Sequence, residues 1–203
     1  MTNKNIQTKP SYNVAIFASG AGSNALKIIE FFSENEYITV SLIVCNKINA
    51  GVLDIASTYN IESIIVDKNH FNSDELISRL HSYNIDLIVL AGFLWKIPET
   101  LISNYKDRII NIHPALLPKF GGKGMYGNNV HEAIVRGNEI KSGISIHLVD
   151  EHYDHGRVLF QAVYFFPEHL TAASLASQIH ILEHRHYPVI INSYIQNCFP
   201  LNK

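Results

Sequence analysis

The sequence predicts an α/β fold: a mostly parallel, twisted β-sheet with helices on both faces. Short apolar runs rich in β-branched residues alternate with helical patterns through the first half of the chain. These runs are apolar at nearly every position, which is typical of strands that helices cover on both sides. A chain of 203 residues with 47% hydrophobic content is long enough for one sizeable core. We therefore expect a single domain spanning residues 1–203.

The elements follow in chain order. In the first half, strands and helices alternate, with strands predicted at 12–18, 39–45, 62–66 and 87–90 and helices at 24–34, 50–60 and 73–83. The second half is predicted to contain strand 108–112, loop 115–129, helix 130–136, strands 142–148 and 158–166, and a helix from 173 to about 198. Pro188 lacks an N–H and is predicted to kink or divide that last helix.

This alternation indicates a Rossmann-like N-terminal half, about residues 12–110, in which ligands bind at the carboxyl ends of the strands. A C-terminal half, about residues 111–198, completes the sheet.

Composition narrows the class of partner. The net charge of −2, from 16 Lys and Arg against 18 Asp and Glu, provides no basic field for nucleic acid. The two cysteines form neither a disulfide framework nor a zinc spacing. Residues 1–13 have no apolar core segment, and no run reaches the ~18 apolar residues of a membrane helix. We predict a cytoplasmic protein with small-molecule partners, as a monomer or homodimer.

The segment Gly20-Ala21-Gly22-Ser23-Asn24-Ala25 follows the first predicted strand and fits the pattern G-x-G-x-x-G/A. A dinucleotide site also needs a carboxylate after the second strand, where this chain has Cys45-Asn46-Lys47. A lysine there leaves NADP open, but a single phosphate is the plainer interpretation. Amides at the helix N-terminus, with Ser23 and Asn24 as added donors, suit that anion. The remaining alternative is a tight turn in which Ser or Asn caps the helix.

A second group of polar residues closes the fifth strand. Side chains alternate along a strand, so Asn111 and His113 are predicted to project to the same face, and Pro114 ends the ladder. The loop 149–156 contains three acids and two histidines, which either solvate a turn or bring a carboxylate to His113. Asn, His and Asp together suit acyl transfer to an amine, because they stabilise an oxyanion and move protons.

The segment His180-Ile181-Leu182-Glu183-His184 fits the zinc pattern H-x-x-E-H. A zinc site needs a further ligand that the sequence does not indicate, so we predict no metal. A solvated helix face is the preferred interpretation. Glu183, at the border of the apolar stripe, is also placed to face a ligand.

Together these motifs resemble the phosphoribosylglycinamide formyltransferases, a folate-dependent formyltransferase family. The resemblance spans about residues 13 to 195. It rests on Ser19–Asn24 (S-G-x-G-S-N), Leu90–Phe93, Asn111–Pro114, Leu116–Lys119, Asp154 with Gly156, and Glu183-His184 with Tyr187-Pro188.

The resemblance implies the formyltransferase fold and transfer of a formyl group from 10-formyltetrahydrofolate, as co-substrate, to the amine of glycinamide ribonucleotide in purine synthesis. It makes Asn111 and His113 the oxyanion-stabilising residues and Asp154 the residue that assists proton transfer. The ribonucleotide-binding residues that it implies are Gly22, Ser23, Asn24, Pro114 and Glu183. The folate-binding residues that it implies are Phe93, Leu94, Trp95, Lys96, Ile97, Asn111, Asp150 and Asp154.

Three places depart from the family pattern: Trp95 stands where many bacterial relatives have Arg, His155 replaces a Gly, and the loop 121–127 differs from a simpler Pro-Gly loop. None involves the three catalytic candidates. Two related activities stay open, namely formyl transfer to another amine and hydrolysis of formyltetrahydrofolate. A non-catalytic NADP-binding module is the alternative from a different class.

Overall fold

The computed structural model describes residues 11–167 and 169–199. Within them the strands are β1 (Tyr12–Ala18), β2 (Ile38–Cys45), β3 (Glu62–Ile65), β4 (Ile85–Leu90), β5 (Ile109–His113), β6 (Lys141–Leu148) and β7 (Val158–Phe165). They form one sheet in the order β3-β2-β1-β4-β5-β6-β7. Strands β1 to β5 pair in parallel, while β6 and β7 are antiparallel additions. The predicted mostly parallel sheet is confirmed.

The described helices are α1 (Ser23–Phe32), α2 (Gly51–Thr58), α3 (Lys68–Phe71), α4 (Asp74–Ser82), α5 (Glu99–Asn104), α6 (Asn128–Arg136) and α7 (Ala172–Cys198). Buried residues of α1, α2, α6 and α7 belong to one core cluster, and those of α3, α4 and α5 belong to another. The sheet therefore has helices on both faces, as predicted.

Strand β1 shows why its sequence is apolar throughout. Val14 and Ile16 lie in the first core cluster, whereas the alternating residues Ala15 and Phe17 lie in the second. All four are fully buried. A central strand with both faces covered has no solvent side on which a polar residue is favoured.

The strand order sets the position of the site. Strand β1 lies between β2 and β4, so the chain leaves β1 toward one edge of the sheet and later returns to its other side. This reversal is a topological switch point, where a crevice opens beyond the carboxyl ends of the strands. The loops that follow β1, β4 and β5 meet there.

The main differences between the structure and the sequence prediction concern four elements. Helices α3 and α5 were not predicted, and β4 begins at Ile85 rather than at residue 87. The apolar pattern did not reveal this start of β4, because Asp86 is a charged residue within the strand. Its buried carboxylate accepts the backbone N–H of Asn13 at 3.0 Å. Helix α7 continues through Pro188, so that proline does not divide it. Pro188 and its neighbour Tyr187 are buried, and this packing holds the helix on both sides of the proline.

Among the described residues, no helix combines the length and the apolar character needed to cross a bilayer. The prediction for the N-terminal segment extends over residues 1–10, which lie outside the described residues. The cytoplasmic location, the oligomeric state and the single-domain organisation stay predictions.

Candidate active site

A cavity of about 650 Å³ occupies the crevice at the carboxyl ends of β1, β4 and β5. The described structure brings every site residue predicted from the sequence to its wall. These residues are Gly22, Ser23, Asn24, Phe93, Leu94, Trp95, Lys96, Ile97, Asn111, His113, Pro114, Asp150, Asp154 and Glu183.

The glycine loop leads from β1 into α1. Gly22 has φ 81° and immediately precedes the helix. A Cβ at Gly22 would lie 2.9 Å from the side chains of Val52 and Ile55, so both the backbone conformation and the helix packing require glycine. No side chain caps α1, and the interpretation of a turn capped by Ser23 or Asn24 is therefore wrong. Among the described residues, no side chain accepts a hydrogen bond from the first-turn amides, and these amides suit an anion.

Asn24 does not cap α1 but forms a hydrogen bond with a residue of α7. Its Nδ2 donates to Oε2 of Glu183 at 2.8 Å, and Nδ1 of His180 lies 3.0 Å from the same oxygen. Glu183 is only 4% exposed. The interpretation of this segment as a solvated helix face is thus wrong for Glu183, which belongs to the cavity. The hydrogen bond with Glu183 raises the pKa of His180.

No third ligand joins the zinc pattern among the described residues. Within the described part of the chain, no three His, Cys, Asp or Glu side chains have a metal-binding arrangement.

The other half of the cavity contains the polar cluster of β5. Asn111 and His113 reach it from the same face of the strand, and Asp154 comes from the loop between β6 and β7. Oδ2 of Asp154 accepts the N–H of Gly122 at 2.8 Å. Gly156 packs directly against the carbonyl oxygen of Leu148. A Cβ at this position would overlap that oxygen, so the loop requires glycine there. Asp154 is thereby held over the end of β5.

The protonation of His113 follows from its contacts. Its Nε2 lies 2.7 Å from the carbonyl oxygen of Phe120, so Nε2 carries the proton and Nδ1 faces Asp154. Burial lowers the pKa of His113, and the Asp154 carboxylate opposes this shift without cancelling it. These contacts favour a neutral imidazole that can exchange protons.

Asp154 is ionised by its surroundings. Burial alone raises the pKa of this carboxyl, but the contact with His147 and the N–H of Gly122 more than offset burial and lower it. The ionised carboxylate therefore faces two imidazoles.

His147 is a site residue that the sequence analysis missed. Its Nδ1 donates to the carbonyl of Leu148 at 2.8 Å, which leaves Nε2 to accept Nδ2 of Asn111 at 3.1 Å. Asn111 and His147 are register partners in β5 and β6, so the antiparallel pairing sets this contact. The available signal was the alternation of Ser145 and His147 with the apolar residues Ile144, Ile146 and Leu148.

Ser145 supports the chain that follows Pro114. It is fully buried, donates to the carbonyl of Ala115 at 2.6 Å and accepts the N–H of Leu117 at 2.9 Å. Gln161 adds a third hydrogen bond to Ser145 at 2.7 Å. This network ties the loop after β5 to strands β6 and β7.

The wall after β4 is apolar. Phe93 packs against Phe17 and Phe71, and Trp95 packs against Phe71 with ring centroids 5.5 Å apart. The side chain of Ile97 is buried in the second core cluster. Leu94 is 42% exposed. The predicted folate-binding segment therefore presents mainly Leu94, Trp95 and the exposed Lys96 to a ligand.

The fold and the site define an α/β protein with an anion-type glycine loop and an Asn–His–Asp cluster in one cavity at a switch point. The chain belongs to the formyl transferase family, whose model matches residues 12–191.

Proteins similar to this chain include the chloroplastic phosphoribosylglycinamide formyltransferase of Arabidopsis thaliana, 37% identical over 187 residues. That match covers 89% of this chain and 64% of the plant protein, less than two thirds of its length. The phosphoribosylglycinamide formyltransferase of Bacillus subtilis is 34% identical, with coverage of 89% and 93%. The crystal structure of phosphoribosylglycinamide formyltransferase from Bacillus halodurans superposes with a TM-score of 0.83 at 33% identity, covering 91% of this chain and 96% of that one.

Proposed function

We propose that this protein transfers the formyl group of 10-formyltetrahydrofolate to the amine of glycinamide ribonucleotide, in purine biosynthesis. The observation that carries the proposal is the single cavity that joins the glycine loop to Asn111, His113 and Asp154. The names of the similar proteins from Arabidopsis and Bacillus support the same activity.

The acceptor binds at the glycine-loop end. Its phosphate is held by the first-turn amides of α1 beside Gly22, with the exposed Ser23 as a further donor. The buried carboxylate of Glu183 accepts hydrogen bonds from the ribose hydroxyls, because no described residue bonds to its Oε1. Pro114 borders the path from the ribose to the reaction centre.

The donor folate binds along the wall formed by Leu94, Trp95 and Lys96, with Asp150 at its edge. The apolar wall suits the flat rings of a folate. Asp150 is held in a turn in which its Oδ1 accepts the N–H of His152 at 2.8 Å. Trp95 provides an aromatic face to this wall.

The transfer forms one C–N bond and breaks another. The acceptor nitrogen attacks the formyl carbon, and the carbonyl electron pair moves onto the oxygen. One amide hydrogen of Asn111 is bonded to His147, so the other is available to this oxyanion. His113 contributes from Nε2 when it turns from the carbonyl of Phe120 to the oxyanion.

The proton balance uses the His113–Asp154 pair. The proton that the acceptor nitrogen loses passes to Nδ1 of His113, where the charge of Asp154 stabilises the imidazolium. N10 of the folate then receives a proton through this pair and an ordered water as the C–N10 bond breaks. The products are N-formylglycinamide ribonucleotide and tetrahydrofolate.

The deciding experiment is a spectroscopic assay of tetrahydrofolate formation with 10-formyltetrahydrofolate, with and without glycinamide ribonucleotide. Turnover that depends on the ribonucleotide supports the proposal. Turnover without acceptor identifies a hydrolase, and turnover only with another amine identifies a different acceptor. No turnover together with NADP binding supports the binding-module alternative and contradicts formyl transfer.

A further inference from the structure

We propose that Ser19 is a positioning residue for the donor folate, because it fixes the backbone of the donor wall, defined here as residues 92–97, beside the glycine loop. The inference rests on the proposed function, which places the folate along this wall. Ser19 is only 2% exposed and does not line the cavity. It therefore acts on the ligand only through the residues that it holds.

Two hydrogen bonds join Ser19 to the donor wall. The N–H of Leu94 donates to Oγ of Ser19 at 3.0 Å. The N–H of Ser19 donates to the carbonyl oxygen of Gly92 at 3.2 Å. Gly92 has φ 75° and turns the chain as it leaves β4. The two bonds hold the backbone on both sides of Phe93.

The backbone of the donor wall depends on these two bonds. The segment lies between β4 and α5 and belongs to neither element. Within the described part of the chain, backbone groups of residues 92–97 form no hydrogen bonds other than those with Ser19. The packing of Phe93 and Trp95 against Phe71 fixes the aromatic rings, whereas Ser19 fixes the backbone between them.

Loss of the hydroxyl is expected to affect the two substrates differently. The bond between Leu94 and Ser19 is partly buried, so its removal leaves an N–H without its acceptor. The wall then shifts, and the surface offered to the folate rings shifts with it. The phosphate of the acceptor is held by the first-turn amides of α1, which the hydroxyl of Ser19 does not contact. Donor binding is therefore weakened and acceptor binding is not.

Trp95 reports on the wall directly. It is the one tryptophan of the chain and follows Leu94 in sequence. Its ring packs against Phe71 with centroids 5.5 Å apart, and this contact limits the access of a small quencher from solvent. The fluorescence of Trp95 therefore measures how firmly the wall is held, without any substrate present.

The test compares the wild type with Ser19→Ala. We expect KM for 10-formyltetrahydrofolate to rise about fivefold to tenfold, the size of one hydrogen bond, while KM for glycinamide ribonucleotide stays unchanged. The acrylamide quenching constant of Trp95, measured without substrates, is expected to rise. Ser19→Cys fills the space of the hydroxyl but accepts hydrogen bonds weakly, so its donor KM should lie between those of the wild type and Ser19→Ala.

Ser142→Ala is the matched control. Ser142 is also buried, but its Oγ has no hydrogen-bond partner among the described residues, and it does not line the cavity. Both KM values and the quenching constant of this variant should equal those of the wild type.

Four results overturn the inference. An unchanged donor KM in Ser19→Ala removes Ser19 from donor binding. An equal rise of both KM values assigns the effect to a general loosening of the site. A donor KM of Ser19→Cys equal to that of the wild type assigns it to filled space rather than to the hydrogen bond. An unchanged quenching constant in Ser19→Ala shows that the wall does not depend on Ser19.

The quenching measurement separates this inference from the proposed function, because it needs no turnover. A wild type without acceptor-dependent turnover contradicts formyl transfer to the ribonucleotide. The comparison of Trp95 in the wild type and Ser19→Ala still decides whether Ser19 holds the wall.

Discussion

Oδ2 of Asp154 lies 3.6 Å from Nδ1 of His113, and both side chains are largely withdrawn from solvent. The other carboxylate oxygen of Asp154 lies 3.6 Å from Nε2 of His147. A carboxylate so placed stabilises a proton on Nδ1 of His113 without a change of position. The electrostatics of the site therefore centre on this one residue.

We predict that Asp154→Asn lowers kcat about 10²- to 10⁴-fold, the range for loss of a positioned acid–base group. The KM for the ribonucleotide should change little, because the amide keeps the size of the carboxylate and removes only its charge. Steady-state kinetics with both substrates measure this. His155→Asn, at the exposed neighbouring position that does not line the cavity, is the control. Normal turnover of Asp154→Asn would remove Asp154 from the mechanism.

We predict that His147→Leu lowers kcat about fivefold to tenfold, equivalent to one hydrogen bond, because Asn111 loses the acceptor that orients its amide. His147→Gln should recover part of the loss, since its side-chain oxygen reaches toward the position of Nε2. The readout is kcat at saturating concentrations of both substrates. Equal kcat values for the leucine and glutamine variants would indicate packing rather than orientation of Asn111.

Tyr187→Phe is expected to destabilise the protein by about 1–3 kcal/mol, because it removes the one hydroxyl hydrogen that two neighbouring carbonyls share. The hydroxyl of Tyr187 lies 3.0 Å from the carbonyl oxygens of both Leu90 and Ile110, at the ends of β4 and β5. Urea unfolding measures the change. Tyr59→Phe, at a side chain 38% exposed, should lie within the error of the wild type. A loss as small as that of the control would show that these carbonyls do not depend on the hydroxyl.

The stability of the protein is expected to fall as the pH decreases from about 7.5 to about 5.5, across the unfolded histidine pKa of about 6.5. Burial lowers the pKa of His113 and His131, so the unfolded chain binds protons that the folded chain does not. Their contribution is complete above the unfolded pKa and is lost below it. His180, whose pKa is raised, acts in the opposite direction.

Comparing variants isolates this effect. His131→Leu should lose less stability than the wild type over the same pH range, because it removes one of the histidines whose pKa burial lowers. Thermal unfolding at a series of pH values provides the measurement. His81→Gln changes an exposed histidine and serves as the control. Parallel pH profiles for the wild type and His131→Leu would contradict the assignment.

The sequence alone predicted the features that depend on neighbours along the chain. The apolar runs of β1 and β2 defined the parallel sheet, and the spacing of the glycine loop defined the entry into α1. The period-two alternation of β5 was enough to place Asn111 and His113 on one face. The start of β4 was an exception to this local prediction. Asp86 interrupts the apolar pattern of that strand, because its buried carboxylate accepts a hydrogen bond from the distant N–H of Asn13.

Only the tertiary structure decided the features that depend on residues far apart in sequence. Asn24 and Glu183 are 159 residues apart, and their hydrogen bond turns an expected solvated helix face into a cavity wall. His147 orients Asn111 through the register of β5 and β6, which no local pattern specifies. The neutral form of His113 results from burial by several elements at once. Periodicity along a chain indicates which way a side chain points, but hydrogen-bond partners and burial are set by what packs against it.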